Sequence, residues 1–178
     1  MTTQQSQQIE VADEALETQQ KVLLFLLGQE TFGLPIMHIR EIIEYEGVSR
    51  VPMMPSHVRG VINLRGNVVP IVDLSARLGR QPLHSSRRTC VVVLELRYED
   101  EQVELGVMVD AVSEVIDIGS RDIQSAPGFG AGVREEFIAG MGRIAERFVV
   151  LLEQATTFNL HELAALQRGS HAVSELAR

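Results

Sequence analysis

VRGVINLRGNVVPIVDL, residues 58–74, returns 80 residues later as IAGMGRIAERFVVLLEQ, residues 138–154, and this repetition decides the fold. Both blocks carry two apolar runs about a short break, the pattern of two strands joined by a tight turn. Gly60 falls opposite Gly140, and the closing apolar runs match. A second pair of blocks repeats at an offset of 73 (106 minus 33): GLPIMHIREII from Gly33 and GVMVDAVSEVI from Gly106. These share the glycine, a glutamate (Glu41 with Glu114) and apolar residues at five or more equivalent positions. The two offsets differ by seven residues (80 minus 73), so an insertion is required between the blocks of the second half, where SAPGFGAG lies.

Each half therefore holds about five short strands in the same order. Five strands leave few open edges when they curl into a small barrel, and a barrel of ~60 residues is marginal unless it shares a core with a second. The expected fold is all-β with short helices: two SH3-like five-stranded β-barrel subdomains related by internal duplication, plus a C-terminal helix. Their approximate extents are 34–90 for one, and 21–33 with 91–155 for the other.

Composition narrows the function classes. Apolar residues make up 45% of the 178 and charged ones 22%, an ordinary globular balance, with a core drawn mainly from Val, Ile and Leu because Trp is absent. A net charge of −8 leaves no basic field for a phosphate backbone, which excludes general nucleic-acid binding. The single cysteine, Cys90, forbids an internal disulfide, and beside VVV it reads as a buried small hydrophobe. No signal-peptide pattern and no apolar run of ~18 residues is present, so a cytoplasmic protein without membrane insertion is expected.

Residues 1–20 are rich in Gln and poor in large apolar side chains, the composition of a disordered lead. From Lys21, VLLFLLG and TFGLPI read as a hairpin about Gln29-Glu30, with Pro35 expected to place the second strand at an edge or a bulge. HIREIIEY reads as a strand on its β-branched content, and VPMMPSHVRG as a loop with one helical turn near Ser56–Arg59. Arg65-Gly66-Asn67 supplies turn chemistry, with Arg65 near a hairpin tip. Asp73 caps a short helix stopped by Gly79. The long strand 88–97 ends in the acidic hairpin YEDEQ, and Asn159 with Glu162 resembles a capping box opening a helix over about 160–168, before a frayed tail at 169–178.

Catalytic and metal chemistry find no foothold. The five histidines stand at no ligand spacing, no nucleophile elbow occurs, and GFGAG lacks the Lys-Ser/Thr of a P-loop. No metal site or cofactor is expected. Arg65 is a candidate contact residue because its equivalent in the second repeat is Ala145, so the turn itself does not demand an arginine. Phe129 is an aromatic ring on a glycine-rich loop, which suits either packing back onto its own barrel or anchoring an interface.

With the duplicated barrels, GVINLRGNVVPIVDL and DAVSEVI followed by the PGF loop, the sequence resembles the CheW family of chemotaxis coupling proteins over roughly residues 21–155. The resemblance implies a non-catalytic adaptor that bridges the regulatory domain of the histidine kinase CheA to the cytoplasmic tips of methyl-accepting receptors. It implies a receptor groove at Ile39, Arg65, Val91 and Val115, with Glu41 supporting Arg65, and a kinase or ring contact at Phe129 and Gln124 that also serves other CheW-like barrels in array rings. Such a groove would take a helix through aliphatic burial worth ~25 cal/mol per Å², with an arginine setting register. Two residues depart from the family pattern: Gln124 stands where enteric relatives carry a basic residue, and Glu153 where Asp or Asn is usual. The acidic hairpin at Glu99–Glu101 is longer than usual. The competing readings are a CheV-like or kinase-regulatory module, which the length of the chain disfavours, and an OB-type nucleic-acid binder, which lacks stacking aromatics and a basic face.

Overall fold

The computed structural model describes residues 18–125 and 132–165. Among the described residues, eleven strands form two sheets. They are β1 (Gln19–Leu27), β2 (Glu30–Pro35), β3 (Ile39–Glu44), β4 (Val58–Leu64), β5 (Asn67–Asp73), β6 (Cys90–Tyr98), β7 (Glu101–Val109), β8 (Ala111–Gly119), β9 (Ile123–Gln124), β10 (Ile138–Ile144) and β11 (Arg147–Leu152). Short helices follow β5 (Leu74–Arg77) and β11 (Gln154–Phe158), and residues 160–165 are helical. The all-β class with short helices is thus the observed one.

One sheet runs β8-β1-β2-β11-β10-β9 and the other β3-β6-β7-β5-β4. These are the same order once β1 is matched with β6, β2 with β7, β11 with β5, β10 with β4 and β8 with β3. The isolated bridge Ser49–Val61 stands where β9 pairs with β10, through Gln124 and Met141. Register repeats too: Leu151 lies beside Gly33 in the parallel pair β11–β2, and Ile71 beside Gly106 in β5–β7. The shared glycines have a packing cause. A Cβ on Gly33 would meet Val22 and Leu151 at 2.7 and 2.9 Å, and one on Gly106 would meet Ile71 and Val91 at 2.5 and 2.6 Å.

The strands are exchanged between the halves. β3 follows β2 in the chain but pairs with β6 in the other sheet, and β8 follows β7 but pairs with β1. This corrects the expected extents of the subdomains: residues 90–109 belong with β3–β5, and the six-stranded sheet takes 19–35 with 111–152. Hydrophobic pattern marks which face of a strand is buried but not which neighbour completes its ladder, and β1 and β6 carry the same pattern.

Other readings are adjusted by the same ladders. β2 is internal; Pro35 is tolerated as its last residue, because the pairing with β11 stops at Gly33. Residues 51–57 make turns rather than a helix, with the Val58 N–H donating to the Pro55 carbonyl at 2.9 Å before β4 begins. Cys90 is half-buried, at the start of β6 ahead of the fully packed Val91–Leu94. Of the lead expected at 1–20, residues 1–17 lie outside the described residues, as do Phe129, residues 166–168 and the tail at 169–178, whereas Gln19 and Gln20 open β1.

One core joins the sheets. Leu23, Phe25, Phe32 and Leu34 pack in it with Ile71, Val92, Leu94 and Leu105, and with Phe158 and Leu163 from the C-terminal helices. A second cluster of Val22, Leu24, Ile118, Val149 and Leu151 lies apart, so β1 buries both of its faces. That is why VLLFLL reads as a continuous apolar run rather than an alternating one.

The seam between the halves is polar and asymmetric. The Arg77 Nε donates to the Thr157 carbonyl at 2.5 Å, and the guanidinium lies 5.0 Å from the centroid of Phe137. His57 and Phe137 are equivalent: the His57 carbonyl accepts from the Asp73 N–H and that of Phe137 from the Glu153 N–H, both at 2.8 Å. Burial first, then the charge of Arg77, lowers the pKa of His57 below 6.5, against a smaller opposing pull from Glu162.

Two outcomes follow from this framework. Gly60 has φ +153°, and an added Cβ would stand 2.3 Å from the Ser49 carbonyl oxygen, so Gly60→Ala is expected to cost about 2–4 kcal/mol in urea denaturation. Because the folded pKa of His57 lies below its unfolded value, stability is held above pH ~6.5 and lost as pH falls further. His57→Phe, the residue the other half uses, should flatten the fall in unfolding midpoint between pH 7.5 and 5; an unchanged slope would contradict the assignment.

Candidate functional site

The break between β4 and β5 is two residues long, and both have positive φ, Arg65 at 54° and Gly66 at 86°. That is the signature of a type I′ turn, whose twist matches a hairpin. The Asn63 side chain locks it, its Oδ1 accepting from the Gly66 N–H at 2.9 Å. Left-handed backbone is costly for a residue with a Cβ, and here the hairpin holds Arg65 in it. Its guanidinium is thereby aimed across the end of the sheet.

What it meets is Glu41. Arg65 Nη2 donates to Glu41 Oε2 at 2.6 Å, although β3 and β4 are the two edge strands of the five-stranded sheet. The sheet is therefore curled enough for its opposite edges to face one another. Between them lies an open cleft of about 800 Å³, with Ile43, Val48, Val61, Ile62, Leu64 and Val91 in its lining. Arg65 is 67% exposed and Glu41 24%, and Glu41 Oε1 is buried with no hydrogen-bond partner. The carboxylate fixes the arginine while most of the guanidinium faces solvent, where it can donate to a carboxylate or carbonyl.

The other predicted positions distribute as follows. Ile39, half-buried on β3, is set off from Glu41 and Ile43 by a β-bulge. Val91 borders the cleft from β6 but is only 1% exposed, so it shapes the floor rather than offering surface. Val115 sits on β8 in the other sheet, opposite Leu23, and is 52% exposed. Gln124 is exposed on β9, paired with Met141. Thus the structure joins Arg65 to Glu41 directly and sets Val91 beside the same cleft, while Val115 and Gln124 stand on the six-stranded sheet. The departure at Glu153 has a visible consequence: Asp73 caps its helix by accepting from the Ala76 N–H, whereas the longer Glu153 makes no side-chain cap.

Some features escaped the sequence reading. Arg40, in the bulge of β3 between Ile39 and Glu41, pairs with Glu95 at 2.6 Å and Glu104 at 3.2 Å, carboxylates 55 and 64 residues away. Ile42 is 43% exposed at the position equivalent to Val115. The repeat alignment carried that signal, since both are aliphatic residues next to the shared glutamate. Among the described residues no group of three or more His, Cys, Asp or Glu side chains could hold a metal, and no helix is long and apolar enough to cross a membrane.

The family model of the CheW-like domain matches residues 21–162. The chain is 34% identical to chemotaxis protein CheW of Klebsiella aerogenes, over 82% of this chain and 85% of the relative. It is 33% identical to the probable chemotaxis protein CheW of Rhizobium etli, over 82% of this chain and 91% of the relative. Among solved structures, the scaffolding protein TtCheW from Thermoanaerobacter tengcongensis superposes with a TM-score of 0.70 at 26% identity, covering 79% of this chain and 88% of that one.

An ion pair this exposed adds little to stability. Arg65→Ala is expected to change the unfolding free energy by about 1 kcal/mol or less in thermal or urea melts. A larger loss would make Arg65 a structural residue.

Proposed function

The chain belongs to the CheW-like domain family, whose role is that of a scaffold in chemotaxis, and from that premise we propose that it couples methyl-accepting receptors to the histidine kinase CheA without catalysing a reaction itself. The Arg65–Glu41 pair carries the reading. A guanidinium held at a hairpin tip by one carboxylate, beside a cleft of mixed aliphatic and polar lining, suits a helix that brings apolar side chains and one acceptor. Receptor tips supply such helices. Ile39, Arg65, Val91 and Val115 are the proposed receptor positions, with Glu41 holding Arg65 in register.

Gln124, on the six-stranded sheet, and Phe129 are the proposed kinase positions, against the regulatory domain of CheA or another CheW-like barrel. Sheet-end pairing of this kind lets one adaptor touch two partners at once, which is how a scaffold raises the effective concentration of one for the other. The protein works in the cytoplasm, recruited to membrane-associated receptor arrays, with no cofactor and no nucleic acid.

Co-sedimentation with receptor fragments and kinase tests this. The native chain should assemble a ternary complex and raise kinase activity with no turnover of its own. Arg65→Ala and Glu41→Gln should each weaken receptor-dependent activation roughly tenfold, the loss of one charge-assisted hydrogen bond, while kinase binding persists. Unaltered activation in both variants would remove the pair from the receptor contact.

A further inference from the structure

Arg59 and Ala139 occupy the same place in the two halves. Each is the extra residue of a β-bulge, between Val58 and Gly60 in one hairpin and between Ile138 and Gly140 in the other. A bulge re-aims the side chain it carries. In the first half it turns Arg59 toward the end of β5, where Nη2 donates to the Leu83 carbonyl at 2.7 Å and Nε lies 3.8 Å from Asp73 Oδ2. Asp73 is 1% exposed, and the N–H groups of Ala76 and Leu83 also hold its carboxylate.

The second half keeps the bulge and loses the cation. Ala139 borders an open pocket of about 300 Å³, whose lining also includes Val22, Pro35, Leu151, Glu153 and Gln154. Glu153, the counterpart of Asp73, is exposed and caps no helix. Gln154 keeps a buried Nε2 with no hydrogen-bond partner. So the chain itself supplies a template for what fills this place, and one half leaves it unfilled.

We infer that the pocket takes an arginine side chain presented by a protein partner, as Arg59 fills the equivalent place from within. The stem of an arginine suits the apolar walls of Val22, Pro35 and Leu151, and its planar donors suit the Glu153 carboxylate. The unused donor of Gln154 suits a peptide carbonyl beside that side chain, which favours a peptide over a free guanidinium. In the first half the segment leading into β6 brings Leu83 to Asp73. Residues 1–20, which lead into β1, carry no Lys or Arg. This site is independent of receptor coupling through Arg65.

The test is a titration of the full chain with acetyl-Gly-Arg-Gly-amide, followed by NMR at the Ala139 methyl and the Gln154 side-chain amide at fixed ionic strength. The citrulline peptide, equal in shape and uncharged, serves as control. Saturable shifts are expected with arginine, at least tenfold weaker binding with citrulline, at least fivefold weaker binding in Glu153→Gln, and none in Ala139→Arg. Absence of shifts with the arginine peptide, equal binding of both peptides, or binding unaffected by Glu153→Gln would each overturn the inference. Should Ala139→Arg fail to fold in a thermal melt, the citrulline comparison and Glu153→Gln decide alone.

Discussion

The backbone hydrogen bonds of β3 and β8 are the constraint from which the rest follows. Each strand leaves the sheet of its predecessor and completes the other sheet, so neither half can satisfy its own ladder. Buried backbone donors and acceptors left unpaired cost about as much as lost hydrogen bonds, so the exchange binds the two sheets into one cooperative unit. The shared core then follows. Phe25 and Phe32 stack with ring centroids 6.1 Å apart in the same cluster that holds Ile71, Val92 and Leu105 from the other sheet.

Duplication sets the geometry twice, and chemistry has been placed on one copy at a time. Four equivalent pairs make the point: Arg65 and Ala145 at the hairpin tips, Arg59 and Ala139 at the bulges, His57 and Phe137 at the seam, Asp73 and Glu153 at the helix starts. At the first three, the backbone keeps the same geometry with either residue; at the fourth, only Asp73 also caps its helix. Arg65 and Ala145 both adopt positive φ, 54° and 55°, at the tips of their hairpins. The backbone requirement is thus discharged by either residue, and the side chain is free to serve another purpose. In a duplicated fold, the unmatched member of a pair is where a role beyond folding is to be sought.

The curled five-stranded sheet turns that freedom into a site. Glu41 alone would be one carboxylate on an edge strand, and Arg65 alone one solvated charge on a turn. Curling brings them to 2.6 Å across the open side of the sheet, beside a cleft whose lining mixes Ile43, Val61 and Leu64 with Glu44, Glu46 and Asn63. Glu114 is equivalent to Glu41, but the equivalent tip carries Ala145, whose methyl offers no donor for such a pair.

Much of this was legible in the residues. The repeat offsets gave the strand order, GVINLRG its turn, Asp73 and Asn159 their caps, and the shared glycines their equivalence, because each is a local demand of backbone geometry or of one close neighbour. The resemblance carried by the same motifs pairs Glu41 with Arg65, which the folded chain holds 2.6 Å apart. Which sheet β6 and β7 would join was not legible, nor the bonds from Arg40 to Glu95 and Glu104, nor the emptiness beside Ala139. Those are decided by which strand lies next to which, and a pattern of burial along one strand contains no record of its neighbour. Only the folded chain, with its third strands exchanged, assigns the partners.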